Sequence, residues 1–215
     1  MQQILVYSDS LSWGIIPDSR QRLPFDQRWP GVLEHSLNSS GYKVRVLENC
    51  LNGRRTVWED PFKPGRNGAC GLGQVIEMHS PLSLVIVMLG SNDFQCTHNN
   101  NAWLSAQGMA TLITTIRQAP IEPGMPIPDI LVVAPPTIVE PKGAVAYKFD
   151  KAETRCTGLV EALEDIASQY HVAFFDANRV TGPSVVDGIH LDQDQHQTLG
   201  RMLTPDVIDA LQHRH

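Results

Sequence analysis

Apolar residues gather into five short runs, Ile4–Tyr7, Val44–Leu47, Leu84–Leu89, Ile130–Ala134 and Val172–Phe175. They are continuous rather than alternating, as strands covered on both faces tend to be. Between them the apolar positions recur at helical spacing. Gly31–Ser39 follows Pro30, a good first-turn residue. Trp103–Gln118 carries Leu104, Met109, Leu112, Ile113 and Ile116, and Lys151–Tyr170 carries Leu159, Leu163 and Ile166. A last helix is predicted over Asp194–Leu211, with a break expected before Pro205. Strands alternating with helices predict an α/β fold with a parallel sheet and helices on both faces.

Two connections stand out. The stretch 52–73 is rich in Gly, Pro, Arg and Trp. It is too polar and too broken for a core element, so it is expected to be a surface loop near the site or at a subunit contact. Within it, Arg54 and Arg55 are either oligomer contacts or solvated loop charges. The segment 119–129 holds four prolines and reads as a linker into the fourth strand.

A chain of 215 residues suits one domain, 1–215. The formal net charge of −6 argues against nucleic acid or an anionic membrane surface as partner. The four cysteines, Cys50, Cys70, Cys96 and Cys156, form no C-x-x-C pair and read as free thiols of a reducing compartment. The first residues lack a basic n-region, and no apolar run reaches a membrane span. The expected location is cytoplasmic.

In an open parallel sheet, ligands bind beyond the carboxyl ends of the strands. Four polar clusters stand there: Ser8-Asp9-Ser10-Leu11, Glu48-Asn49-Cys50-Leu51-Asn52-Gly53, Gly90-Ser91-Asn92-Asp93 and Asp187-Gly188-Ile189-His190. A serine at a strand-to-helix turn exposes its hydroxyl beside free backbone N–H groups. It needs a base, and the base needs an orienting partner. Of the eight histidines, His190 alone lies in an Asp-x-x-His turn, where Asp187 can fold back onto the imidazole. Ser10 is therefore the candidate nucleophile, His190 the general base and Asp187 the orienting carboxylate. The Ser10 N–H, the Gly53 N–H and the Asn92 side-chain amide are candidate oxyanion donors.

These four blocks, in this order, resemble the SGNH/GDSL hydrolase superfamily, and most closely its arylesterase and acyltransferase (perhydrolase) branch. Ser10, Gly53, Asn92 and His190 match the residues that name the superfamily, and Asp187 matches the triad carboxylate. Supporting stretches are Ser-Asp-Ser-Leu-Ser-Trp-Gly at 8–14, Arg-Trp-Pro-Gly-Val-Leu at 28–33, Val-Ile-Val-Met-Leu-Gly-Ser-Asn-Asp at 85–93, Val-Val-Ala-Pro-Pro at 132–136 and Phe-Phe-Asp-Ala at 174–177. The resemblance implies a three-layer α/β/α sandwich with a flavodoxin-like five-stranded parallel sheet. It implies a serine esterase acting on short acyl esters through an acyl-enzyme, with alcohols or peroxide competing with water. It implies a small ester as substrate, no cofactor and a homo-oligomer. The family's glycine is replaced here by Ser8, which predicts either an ordinary β conformation or some strain. Cys50 stands where relatives carry a small residue, and reads as a packing residue or a reactive thiol.

Taken singly, each residue has an ordinary explanation. Ser10 suits a helix N-cap and Asn92 an Asx-turn. His190 with Asp187 suits a surface pair. The conjunction at four strand ends is what carries the reading. His190, Asp192, Asp194 and His196 form a weak metal alternative, better explained by an acid-rich helix start. For the substrate pocket, Leu11, Trp13 and Ile189 are the named candidates, with Trp58, Trp103, Phe149 and Phe175 behind them. Thioesterase, lysophospholipase and carbohydrate deacetylase chemistry remain as substrate alternatives. A non-catalytic flavodoxin-like binding module is disfavoured, because no glycine-rich phosphate loop follows the first strand.

Overall fold

The computed structural model describes residues 1–19 and 21–212. Five strands, β1 (Gln2–Ser8), β2 (Val44–Cys50), β3 (Leu84–Met88), β4 (Asp129–Ala134) and β5 (Ala173–Asp176), form one sheet. The spatial order is β2-β1-β3-β4-β5 and every pair is parallel. The order reverses between β1 and β3, where Ser8 sits opposite Met88. The crevice at that reversal is the favoured ligand site of such sheets.

Among the described residues there are eight α-helices, in chain order α1 (Ser10–Trp13), α2 (Trp29–Ser39), α3 (Leu72–His79), α4 (Ala102–Arg117), α5 (Ala152–Arg155), α6 (Leu159–Gln169), α7 (Gln193–Met202) and α8 (Thr204–Gln212). Successive strand residues point to opposite faces, and the core divides accordingly. Leu5, Tyr7, Val85, Val87 and Val132 pack with the apolar faces of α3, α4 and α6. Ile4, Val6, Ile86, Leu131 and Val133 pack with α2, α7 and α8. These are the three layers expected. Among the described residues no helix is long and apolar enough to cross a membrane.

Several expectations are corrected. The helix predicted over 151–170 is two, α5 and α6, interrupted before Gly158, whose φ is +84°. The last helix does break before Pro205, as expected, at Leu203, and Pro205 falls in the first turn of α8, where a missing N–H costs nothing. β5, at one edge of the sheet, is only partly covered: Ala173 is exposed, while Phe174 and Phe175 pack against the two opposite cores.

The stretch 52–73 is the largest difference. It is irregular, but its first part is internal, with Arg54, Arg55, Thr56 and Asp60 all buried. Thr56 is drawn in because α4 has a glycine where they meet. A Cβ on Gly108 would fall 2.1 Å from Thr56 Oγ1. The end of the stretch begins α3, with Leu72 in the core. Arg54 and Arg55 are thus neither oligomer contacts nor solvated charges. Arg54 stacks its guanidinium 3.9 Å from the Tyr7 ring centroid and donates to the Ser8 carbonyl at 2.9 Å. Arg55 pairs with Asp60 at 3.5 Å.

Candidate active site

The imidazole side of the site is built by one short turn. Ser184 donates its N–H to the His190 carbonyl at 2.7 Å, closing the loop 184–190. Asp187 Oδ1 accepts the N–H of Ile189 and of His190, at 3.0 and 2.9 Å. Its Oδ2 lies 2.7 Å from His190 Nδ1. Burial pushes the Asp187 carboxyl up, but the hydrogen bond and charge of His190 and these N–H donors outweigh it and hold the group below its usual range. The bond to Nδ1 leaves Nε2 as the acceptor, and Nε2 stands 3.1 Å from Ser10 Oγ. Residues 10, 187 and 190 therefore form a continuous hydroxyl–imidazole–carboxylate chain.

Ser10 opens α1, directly after β1. Asp9 caps the helix, its Oδ1 accepting the Leu11 N–H at 2.9 Å. Ser8 needs no unusual backbone: it is the last residue of β1 and is not among the positive-φ positions. Its buried hydroxyl donates to the Met88 carbonyl at 2.6 Å and accepts from Ser12 Oγ at 2.6 Å. Ser12 in turn accepts from Trp29 Nε1 at 3.0 Å. A hydroxyl in place of hydrogen is thus fully satisfied, which a buried polar group requires.

The donor side is assembled from distant segments. Asn92, just after β3, donates from Nδ2 to Asp9 Oδ2 at 2.7 Å and accepts from Gln95 Nε2 at 2.6 Å. Burial lifts the Asp9 carboxyl to about 6 against the pull of the Leu11 N–H. Gly53 has φ +84°, and an added Cβ would meet nothing closer than Arg66 at 3.9 Å. The position selects glycine by backbone conformation, not by crowding. Arg54 anchors this turn to the ends of β1 and β2, donating to Ser8 and to the Asn49 carbonyl and side chain. Asp93 ties Thr56 to α4. It accepts the Thr56 N–H at 2.9 Å and the hydroxyls of Thr56 and Ser105 at 2.7 and 2.6 Å. Burial lifts its carboxyl, too, to about 6.

Ser10, Gly53, Asn92 and His190 line one cavity of about 140 Å³. A second, of about 150 Å³, adjoins it through Ile15, Ala144, Val145 and His190. The named pocket candidates are not on these walls. Leu11 and Ile189 are buried in the two cores. Trp13 lies under the Arg22 guanidinium, 4.7 Å from its ring centroid. Trp58 is half-buried beside Gly108, Trp103 is exposed and Phe175 packs on a core. Only Phe149 of the candidates borders the cavity.

Among the wall residues that sequence reasoning missed are Ala144, Val145 and Lys148, from a segment pinned beside the 184–190 turn by Lys142 N–H to the Asp187 carbonyl at 3.0 Å. They follow β4, so the strand-end rule points there. Its Tyr147 and Lys148 stand in no motif, and no periodic pattern singles the segment out.

The metal alternative finds no convergence: no three His, Cys, Asp or Glu side chains gather among the described residues. Asp192 precedes α7, and its N–H donates to Gln195 Oε1 at 2.7 Å. His196 is buried in the core and accepts the Trp29 N–H at 3.3 Å. Burial and the nearby Arg28 drive it down to about 3, so it is neutral. The four cysteines are free. Burial and the Glu48 carboxylate push the Cys50 thiol up, which makes it a packing group rather than a nucleophile.

Residues 9–198 match the GDSL-like lipase/acylhydrolase family. Among solved structures, the inhibitor-bound aryl esterase of M. smegmatis is 34% identical with a TM-score of 0.92, covering 98% of this chain and 100% of that one. A carbohydrate acetylesterase family member from Sinorhizobium meliloti is 33% identical with a TM-score of 0.92, covering 99% and 100%. A structure of TesA shares the fold at 20% identity and a TM-score of 0.66, covering 97% and 99%. No curated protein sequence matches the chain significantly.

Proposed function

The chain belongs to the GDSL-like lipase/acylhydrolase family and is a carboxylic ester hydrolase, and from that premise we propose that it cleaves short acyl esters by serine nucleophilic catalysis. The observation that carries the reading is the chain of contacts from Ser10 Oγ to His190 Nε2 at 3.1 Å and from His190 Nδ1 to Asp187 at 2.7 Å. Ser10 Oγ attacks the ester carbonyl as His190 Nε2 takes its proton. The oxyanion is met by the Ser10 and Gly53 N–H groups and the second N–H of Asn92, whose first is held by Asp9. His190 then returns the proton to the leaving alkoxide, and the acyl-enzyme forms. Water, deprotonated by His190, releases the acid and restores Ser10.

The cavity volume favours small acyl groups. About 140 Å³ equals roughly five waters of liquid volume. A long acyl chain would have to run through the adjoining cavity of about 150 Å³ and beyond it, which speaks against the thioesterase and lysophospholipase alternatives. Two substrate readings stay open on the comparisons, aryl esters and acetylated sugars. Transfer to an alcohol or peroxide follows if such an acceptor reaches the acyl-enzyme before water does. Assembly into a homo-oligomer belongs to the same proposal.

The test is stopped-flow hydrolysis of p-nitrophenyl acetate. The wild type shows a burst of phenolate, and Ser10→Ala shows none and turns over more than about 10⁴-fold slower. Labelling by a fluorophosphonate probe is lost in the same variant. Normal turnover by Ser10→Ala sinks the mechanism. Side-by-side rates on phenyl acetate and an acetylated xylose separate the two substrate readings.

A further inference from the structure

We propose that Gln95, held by Arg55, is a positioning residue that decides which atom of the Asn92 amide faces the reacting carbonyl. The proposal rests on the reading of Asn92 as an oxyanion donor. A side-chain amide has a donor end and an acceptor end of nearly the same shape, so packing alone does not choose between its two orientations. An Asn92 turned by half a rotation would present Oδ1 to the oxyanion, and the site would repel the charge it should hold.

The choice is made by a polar relay closed at both ends. Arg55 can only donate. Its Nη2 donates to Gln95 Oε1 at 2.7 Å, so Gln95 must turn its Nε2 the other way. That nitrogen donates to Asn92 Oδ1 at 2.6 Å. Asn92 must then turn Nδ2 toward Asp9, where Oδ2 accepts at 2.7 Å. Asp9 closes the relay as an acceptor, with Oδ1 already bonded to the Leu11 N–H. All four side chains are buried, so no bulk water can substitute for a missing partner. Arg55 itself is fixed by the Glu59 carbonyl at 2.8 Å, Thr97 Oγ1 at 2.7 Å and Asp60 at 3.5 Å. A reversed Gln95 would set its N–H₂ against the guanidinium and its carbonyl against that of Asn92. A reversed Asn92 would set Oδ1 against the carboxylate.

The relay predicts an order of effects that a structural role would invert. Gln95→Glu keeps the shape and gives Arg55 a stronger acceptor, so the fold should be well served. A carboxylate, however, has no N–H for Asn92 Oδ1, and it invites Nδ2 to turn toward it. Gln95→Met loses both bonds but imposes no wrong orientation.

The experiment measures kcat and KM for p-nitrophenyl acetate in the wild type, Gln95→Glu, Gln95→Met, Asn92→Ala and the two double variants, with melting temperatures alongside. Gln95→Glu is expected to lower kcat about 10- to 100-fold with KM nearly unchanged, and by more than Gln95→Met does. In the Asn92→Ala background either change at Gln95 should cost less than about threefold more. The Met series alone carries this cycle if Gln95→Glu does not fold. Wild-type kcat in Gln95→Glu, or the full Gln95 effect persisting without Asn92, overturns the proposal. Wild-type kcat in Asn92→Ala overturns the oxyanion reading beneath it, and is recognised by that single variant.

Discussion

The two sides of the site are made in opposite ways. His190 and Asp187 are three residues apart in one turn, and that turn's own N–H groups orient the carboxylate. The donor side draws on Asp9, Gly53, Arg55, Asn92 and Gln95, from three separate segments, and its side chains are oriented by one another across those segments. A local turn can hold its geometry through backbone hydrogen bonds. A network of distant side chains holds only while every member is satisfied. The contrast teaches that damage to the first side should stay mainly chemical, whereas a partner left unsatisfied on the second should reach stability as well.

The largest effect expected after loss of the nucleophile comes from the local side. Asp187→Asn keeps its shape but offers an amide where the imidazole N–H needs an acceptor, and kcat should fall by about 10⁴-fold. Because the fold favours the Asp187 charge, the variant's melting temperature should fall modestly, by less than that of Gly53→Ala. A comparable loss of stability would erase the distinction between the two sides.

On the donor side, Gly53→Ala has room for its methyl but not the backbone for it. The left-handed conformation costs an alanine about 1–2 kcal/mol. Its N–H is displaced rather than removed, so kcat should drop by less than about 100-fold. Urea unfolding and steady-state kinetics should thus move together. An unchanged urea midpoint with a large kcat loss would break the comparison.

The smallest effect concerns pH. Asp9 and Asp93 both titrate near 6 in the fold, above the usual 3.8, because burial disfavours their charged forms. The folded state then holds these protons more tightly than the unfolded chain. Their stabilising contribution is complete below about pH 4 and is lost as pH rises through about 6. Asp93→Asn removes one such group, and the Thr56 and Ser105 hydroxyls can turn to meet the amide. The decline in melting temperature between about pH 4 and 7 should flatten, by on the order of 5 °C for a domain of this size. An unaltered pH slope would show that Asp93 does not carry it.

Much of this was legible in advance. The strands announced themselves because a strand buried on both faces is apolar throughout, most fully in β3 and β4, and the four chemical clusters followed strand ends, as the sheet rule requires. The acid–base turn could be read because its spacing is local. The lining of the cavity could not. Leu11, Trp13 and Ile189 were expected there from closeness in sequence to Ser10 and His190, yet alternation along helix and turn sends Leu11 and Ile189 into the core, and Trp13 beneath Arg22. Arg54 and Arg55 misled for a related reason. Two adjacent arginines in a polar loop look solvated until one asks what they can reach.

The sequence by itself determined the sheet, its layers and the identity of the groups beyond the strand ends, because periodicity and local spacing are properties of a short stretch of chain. Tertiary structure alone decided which residues wall the cavity, why two buried guanidiniums are tolerated and how the Asn92 amide is turned. Those depend on which donors and acceptors meet across segments distant in the chain, and hydrogen-bond complementarity of that kind exists only once the segments are packed together.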